Sequence, residues 1–595
     1  MEKMDGIDHI VYIMLENRSM DSVLGWLYEN DKPKNFLPIG TKDKPFEGLQ
    51  TGAYFNNETK EGKFVKRHPA TKITVDDGMV IPSVDPHEKH LHVMDQISTV
   101  SDVEMGGFYN DFATVKGSTP DQIMACHTPE SLPVLNSLAK QYAVSDTYHS
   151  SIPTQTNCNR AFAGTGNSMG IHYDTSVLEA WVNNSWGKHE SWELDVSFNQ
   201  RTIWDVLNLG GFSTPKDWMI FYSNLWPTNH NNYCFTQDLF WPTMSKNETS
   251  FPYSRVSKYP DNFASLASFR EKIKNDNLPT FSFLEPAWFL GEKKEGKNIG
   301  YNGNDYHPPG NVGCGEEFLH DLYSELKAQP NVWKKTLFII NFDEHGGTYD
   351  HVKPTANVHA PWENIDDGTP KPTKMEDGFD FKSLGVRVPL ILASPLIAEK
   401  TVIRSVSGAP FDHTSVIATV LNHFGIHKSR WKLGSRTANA PTFSHVITLD
   451  SANARMDVAI ENPINNKCNP VDPTKVEAND LQIMIIHRLF TRTIEKTKFP
   501  KDRFAEIYAK HYKNVKTMDD LNNAADAIFA QMNTELPEPP ADALDAVDEA
   551  KKEEPITTTN TETAQEPSKT EEKQTEKLTF LQKLAAFFKN LFKSK

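Results

Sequence analysis

The chain has 595 residues, is 38% hydrophobic and 24% charged, and carries 34 Phe, 17 Tyr and 12 Trp. It has material for a large core and more than one region, which excludes a disordered or fibrous protein. A formal net charge of -16, with no long Lys/Arg block before the last turns, argues against a surface that tracks nucleic-acid backbone, so no nucleic-acid partner is expected.

The N-terminus runs directly into the apolar stretch His9–Leu15, leaving no room for a conventional signal peptide. No stretch reaches the roughly 20 apolar residues that cross a bilayer. The expectation is a chain soluble and cytoplasmic at synthesis, either exported by a signal-peptide-independent route or bound peripherally to membrane. Five Cys, an odd number without a CxxC pair, suggest neither a thiolate zinc site nor a disulfide framework, and unpaired thiols are expected.

Short apolar, β-branched runs at Ile10–Leu15, Thr336–Asn341 and Val388–Ala393 alternate with helical stretches, the rhythm of buried parallel strands in an α/β protein. The second run follows a helical stretch, Glu316–Gln329, and leads straight into Asp343-Glu-His-Gly-Gly. Ligands in open α/β sheets collect at the carboxyl ends of strands, so chemistry is expected just after Leu15 and just after Phe342.

A catalytic domain over residues 1–450 is expected to contain an aromatic-rich insertion at about 180–260, with Trp181, Trp186, Trp192, Trp226 and Trp241. Rings packing a loop-rich subdomain outweigh a substrate-facing lid as its explanation. Residues 451–535 read as a mostly helical cap, clearest at Leu481–Phe490 and Met518–Met532. Residues 536–577 lack aromatics and read as a disordered acidic linker. Residues 578–595 place Leu581, Leu584, Phe588 and Leu591 on one helical face with Lys583, Lys589 and Lys593 largely opposite. That is a basic amphipathic helix suited to an anionic membrane surface, or to docking on the protein itself.

Four groups of polar segments carry the chemistry. Glu16 and Asn17 follow the first strand and offer hard oxygen ligands to a divalent cation. Ser151-Ile-Pro-Thr-Gln-Thr-Asn-Cys-Asn-Arg160 is a hydroxyl-rich turn leading into a helix, whose N-terminus favours an alkoxide; its Arg160 suits a bidentate grip on phosphate. Asp343 and Glu344 pair two carboxylates at a strand end before glycines that admit a close ligand. The fourth group is histidines in polar turns: Asp85-Pro-His-Glu88, Asp305-Tyr-His-Pro-Pro309 and Asp412-His-Thr-Ser415. Each element alone is more often a turn, an N-cap or a structural histidine.

Together and in this order, these segments resemble the bacterial phosphoesterase family of phospholipases C and an acid phosphatase, to which the plant non-specific phospholipases C are similar. The likeness also rests on Glu285-Pro286, Gly315-Glu316, Tyr349-Asp-His351, Gly385-Val-Arg-Val-Pro389 and Ser394-Pro395, and covers roughly residues 7–450. It implies an alkaline-phosphatase-like α/β sandwich with a central, mostly parallel sheet and a metal at its carboxyl edge. The implied metal ligands are Glu16, Asn17, Thr156, Asp343 and Glu344, with Thr156 as nucleophile, His87, His307 and His351 as catalytic histidines, and Asn159 and Arg160 on the phosphate. Cys158 stands where the family usually has proline, which loosens the turn holding Thr156.

The expected activity is metal-dependent hydrolysis of phosphate esters, foremost phospholipase C cleavage of glycerophospholipids to diacylglycerol and a phosphorylated headgroup through a phosphothreonine. Threonine rather than serine at the nucleophile favours this over a broad-specificity acid phosphatase, and the complete site argues against a non-catalytic membrane-docking protein. An all-oxygen ligand shell suits magnesium, calcium or manganese, whereas bacterial relatives suggest zinc, so zinc and calcium both stand as the cofactor.

Overall fold

The computed structural model describes residues 3–168, 200–223, 234–240, 259–288, 290–294, 297–301, 303–369, 371, 378–465, 468, 472, 474–497 and 499–535. Trp181, Trp186, Trp192, Trp226 and Trp241, together with 536–577 and 578–595, lie outside the described residues.

Among the described residues nine strands form one sheet: β1 (His9–Leu15), β2 (Asn35–Leu37), β3 (Ala143–Ser145), β4 (Trp218–Tyr222), β5 (Phe263–Ser265), β6 (Phe281–Leu284), β7 (Thr336–Phe342), β8 (Leu390–Ala393) and β9 (Thr401–Ile403). Their order is β2-β9-β3-β8-β7-β1-β6-β4-β5. All neighbours run parallel except β8, which is antiparallel to both β7 and β3. The α/β class read from the sequence therefore holds. The Val388–Ala393 run, expected as another parallel strand, starts at Leu390 and runs the other way; a continuous apolar run reports burial on both faces and carries no direction.

The helices that frame the site are α1 (Met20–Leu24), α2 (His90–Gln96), α3 (Phe108–Phe112), α4 (Thr156–Thr165), α5 (Val312–Lys327) and α6 (His413–His423). Local chemistry sets their ends. Asp412 caps α6 by accepting from the Thr414 amide, with Ser415 completing a capping box. Asn311 caps α5 through the Gly313 amide. Gly166, at φ 72°, stops α4 where a Cβ would meet Thr437 Oγ1 at 1.9 Å.

Contacts group the chain into two units, Met1–Arg488 with Lys516–Met518, and Leu489–Val515 with Asp519–Lys595. The first holds the sheet. The expected C-terminal helices form as α7 (Asp480–Thr497), α8 (Lys501–His511) and α9 (Met518–Glu535). Within the second unit the ring of Phe490 lies 4.8 Å from Phe529 and 5.8 Å from Phe504, an aromatic cluster of its own. No described helix is long and apolar enough to cross a membrane.

The thiols depart from expectation. Cys314 and Cys468, 154 residues apart, form a disulfide, while Cys126, Cys158 and Cys234 are free and buried. An odd cysteine count and wide spacing do not prevent one pair from meeting, because the fold alone brings their Cα atoms to 4.5 Å.

Candidate active site

Strand pairing builds the centre. The register Leu15↔Phe342 between β1 and β7 brings the residues that follow, Glu16 and Asp343, side by side, and the Asp343 amide donates to Leu15 O at 3.1 Å. Asn17 then turns into the left-handed region at φ 52°, where its own amide reaches Asp343 Oδ1 at 3.2 Å. Such a conformation is costly for a residue with a Cβ and is typical of functional turns. Gly346 explains part of the Asp-Glu-His-Gly-Gly run: a Cβ there would lie 2.2 Å from Asn17 O.

Thr156 is the first residue of α4, buried, with its hydroxyl 3.1 Å from Glu16 Oε2 and 3.3 Å from Asn17 Oδ1. One helical turn later, Arg160 donates from Nε to Glu16 Oε1 at 2.6 Å and from Nη2 to Met14 O at 3.1 Å. Its guanidinium lies 3.7 Å from Asp343 Oδ2 and 4.9 Å above the Trp288 ring. Arg160 therefore braces Glu16 and Asp343, whereas the sequence reading aimed it at phosphate.

Asn159 is corrected more sharply. Its amide is wholly committed to the preceding turn, accepting from the Ile152 amide and donating to the carbonyls of Ile152, Thr154 and Gln155. Both hydrogens of that amide are engaged by the turn it holds.

The histidines separate into three environments. His307 Nε2 meets Asn17 Nδ2 at 2.8 Å, and the same amide donates to Glu88 Oε1 at 2.7 Å. Burial pushes the His307 imidazole down to about 3. His87 lies in a half-open cluster with His92 and Asp111, its Nδ1 3.6 Å from Asp111 Oδ1. His351 sits in a different buried network, bonded through Nδ1 to Asp21 at 2.6 Å. There Asp21 and Asp350 also hold Arg387. No contact described for His351 reaches Thr156, Asp343 or Glu344.

Several residues not singled out from the sequence support the centre. Asp305 faces it from the strand-end loop, with its backbone carbonyl accepting the Glu16 amide at 2.7 Å. His413 Nε2 bonds to Asp343 O at 2.6 Å. Gln96 links His345 Nε2 at 2.8 Å to Asp111 Oδ2 at 2.8 Å. Of these, Asp305 and His413 belong to motifs visible in the sequence; Gln96 and Asp111 carry no sequence signal.

Glu16, Asp343, Glu344 and Asp305 are all buried. Burial raises the Glu16 carboxyl well above the usual range, with Arg160 opposing and Asp343 and Asp305 adding repulsion. Burial likewise raises Asp343, with Arg160 opposing, and lifts Asp305 to about 8. The Oδ2 atoms of Asp343 and Asp305 accept no hydrogen bond. Buried acids in excess of the guanidinium beside them, with oxygens left over, are the donor set of a divalent cation. Glu16, Asn17, Thr156 and Asp343 are brought together in that way, while Glu344, the next residue, meets the Gly346 amide at 2.7 Å and His345 Nδ1 at 3.2 Å. Asp85, Glu88 and His307 form a second close group at its edge.

Non-specific phospholipase C1 of Arabidopsis thaliana is 30% identical over 447 residues, covering 73% of this chain and 70% of that one. Phospholipase C B of Mycobacterium tuberculosis is 23% identical over 442 residues, covering 71% of this chain and 74% of that one. A solved structure of a protein in the alkaline phosphatase superfamily from Vibrio parahaemolyticus aligns at 13% identity and a TM-score of 0.27, over 62% of this chain and 82% of that one. The model of the Phosphoesterase family matches residues 7–427, which hold all nine strands of the sheet and every residue of the centre described above, and the chain belongs to that family.

Proposed function

We propose that the chain is a phospholipase C, cleaving glycerophospholipids to diacylglycerol and a phosphorylated headgroup through a phosphothreonine at Thr156. The observation that carries this reading is the position of the Thr156 hydroxyl, at a helix N-terminus and directed at Glu16 Oε2 and Asn17 Oδ1. The names of the relatives support the substrate class.

In this reading Thr156 Oγ1 attacks phosphorus as its proton passes towards Glu16 Oε2, with which it is already bonded. Arg160 holds the Glu16 carboxylate in place for that transfer. The departing diacylglycerol oxygen takes its proton from solvent. Water then attacks the phosphothreonine and releases the phosphorylated headgroup. A divalent cation, zinc or calcium, held by Glu16, Asn17, Thr156, Asp343 and Glu344 would neutralise phosphoryl oxygens and acidify the hydroxyl. Asp305 and His413 fix the backbone on which those ligands stand.

The experiment is product analysis on phosphatidylcholine vesicles together with Thr156→Ala. Wild type should yield diacylglycerol and phosphocholine, and the variant should lose several orders of magnitude in turnover. Mass spectrometry of trapped enzyme should place phosphate on Thr156. Release of phosphate from monoesters alone, or label on Thr154 or Ser151, would overturn the reading. We further propose that residues 578–595 bring the enzyme to anionic membranes. Truncation after Glu535 should leave turnover of a soluble short-chain substrate unchanged and reduce activity on anionic vesicles at low salt, each Lys contributing on the order of 1 kcal/mol; equal sedimentation of both forms with liposomes would exclude that role.

A further inference from the structure

We infer that His87, His92 and Asp111 form a second metal site, separate in chemistry from the oxygen-rich centre and selective for zinc-like transition ions. The three side chains present ligand atoms within 4.8 Å of one another. Both imidazoles turn the same nitrogen to the same carboxylate oxygen: Nδ1 of His92 lies 2.6 Å and Nδ1 of His87 3.6 Å from Asp111 Oδ1. Ligands about 2.1 Å from a tetrahedral ion stand about 3.4 Å apart, so the His87 spacing is already that of a coordination edge. The His92 contact widens by less than about 1 Å on binding.

His87 Nδ1 is buried and, at 3.6 Å from Asp111 Oδ1, stands just beyond ordinary hydrogen-bond distance. A histidine merely oriented by an aspartate would sit within hydrogen-bond distance of it. The two rings pack 3.9 Å apart, tilted by 34°, so that both face Asp111 from one side. His90, between them in sequence, takes no part, because its Nδ1 bonds to Pro153 O at 2.8 Å.

The outer contacts are those of a ligating carboxylate. Asp111 Oδ2 accepts from Gln96 Nε2 at 2.8 Å, and that amide is fixed by His87 O at 2.7 Å and by His345 Nε2 at 2.8 Å. An entry path exists, since the His87 and His92 side chains are 32% and 35% exposed. Two imidazoles and one carboxylate favour zinc, cobalt, nickel or copper over calcium and magnesium, which take all-oxygen shells.

The test is cobalt(II) titration of the full-length, chelator-stripped protein, read by bound equivalents and by the shifted imidazole proton resonances of paramagnetic cobalt. Wild type should bind two equivalents and show these resonances. His92→Ala, and His92→Phe, which keeps a ring beside His87, should each bind one and lose them. Asp343→Asn should also bind one, but retain them. Two equivalents, or unchanged resonances, in either His92 variant overturn the second site. An Asp343→Asn protein that still binds two equivalents would instead overturn the oxygen-rich centre and leave the His87–His92–Asp111 site standing.

Discussion

The side-chain amide of Asn17 donates to Nε2 of His307 at 2.8 Å, while His307 Nδ1 meets the carbonyl of Pro308 at 2.5 Å. Because Asn17 Nδ2 also serves the Glu88 carboxylate, the amide must be the donor, so the imidazole is neutral with its proton on Nδ1. His307 therefore orients Asn17, whose Oδ1 faces Thr156, and is not the acid that protonates the leaving group. His307→Ala should lower kcat/KM roughly 10–100-fold, the usual effect of losing an outer-layer partner. His307→Gln, which offers an acceptor in the place of Nε2, should recover most of that loss; a Gln variant no better than Ala would contradict the positioning role.

The crowding of Glu16, Asp343 and Asp305 predicts opposite effects with and without cation. Asp343→Ala or Glu344→Ala, like chelation of wild type, should abolish hydrolysis and leave the fold intact. Without cation, Asp343→Asn should be no less stable than wild type, since it removes a charge that burial disfavours. Cation at about 100 times its Kd for this centre should stabilise wild type by about 2.7 kcal/mol more than it stabilises the variant, whose His87–His92–Asp111 site is intact. Thermal melts with zinc and with calcium check this and identify the metal that binds.

Why the centre is legible and its surroundings are not follows from the same residues. Asp343 and Glu344 end a long apolar strand, where two adjacent carboxylates suit no packing role, and so stand out in the sequence, whereas Glu16 and Asn17 alone read as a polar turn and are singled out by the family resemblance. The direction of Leu390–Ala393 is invisible because an antiparallel strand buried on both faces has the composition of a parallel one. The roles of Arg160 and Asn159 are hidden for a different reason: each is set by partners that only the fold supplies, the Glu16 carboxylate at 2.6 Å and the carbonyls of the 152–155 turn. The Cys314–Cys468 pair escapes for the same reason.

His351 predicts a pH effect on stability. Burial opposes its charge, but Asp21 and Glu47 raise the imidazole from 6.5 to about 9. A group raised on folding contributes fully below its unfolded value and loses that contribution as pH rises through the folded one. Stability from this pair should thus be complete below pH 6.5 and fade by about pH 9, to the extent of roughly 3 kcal/mol. Denaturant melts of wild type and His351→Gln should converge towards pH 9 and separate below pH 6.5; parallel curves across that range would contradict the assignment.

The Cys314–Cys468 disulfide predicts both a stability and a place of work. Closing a loop this long should stabilise the fold by about 2–4 kcal/mol. The bond also fixes α5 beside the centre: two residues beyond Cys314, Glu316 accepts from the Tyr306 hydroxyl at 2.9 Å and from the Val134 and Leu135 amides, and Tyr306 precedes His307. Cys314→Ser, or reductant on wild type, should therefore lower the melting temperature and weaken catalysis modestly through the 305–309 loop. Disulfides persist in oxidising compartments, so we propose that the enzyme works there. Thiol counting under denaturing, non-reducing conditions on protein from its native source should find three free thiols, Cys126, Cys158 and Cys234. Five would mean that the bond does not form where the protein resides, and the proposed compartment would fall with it.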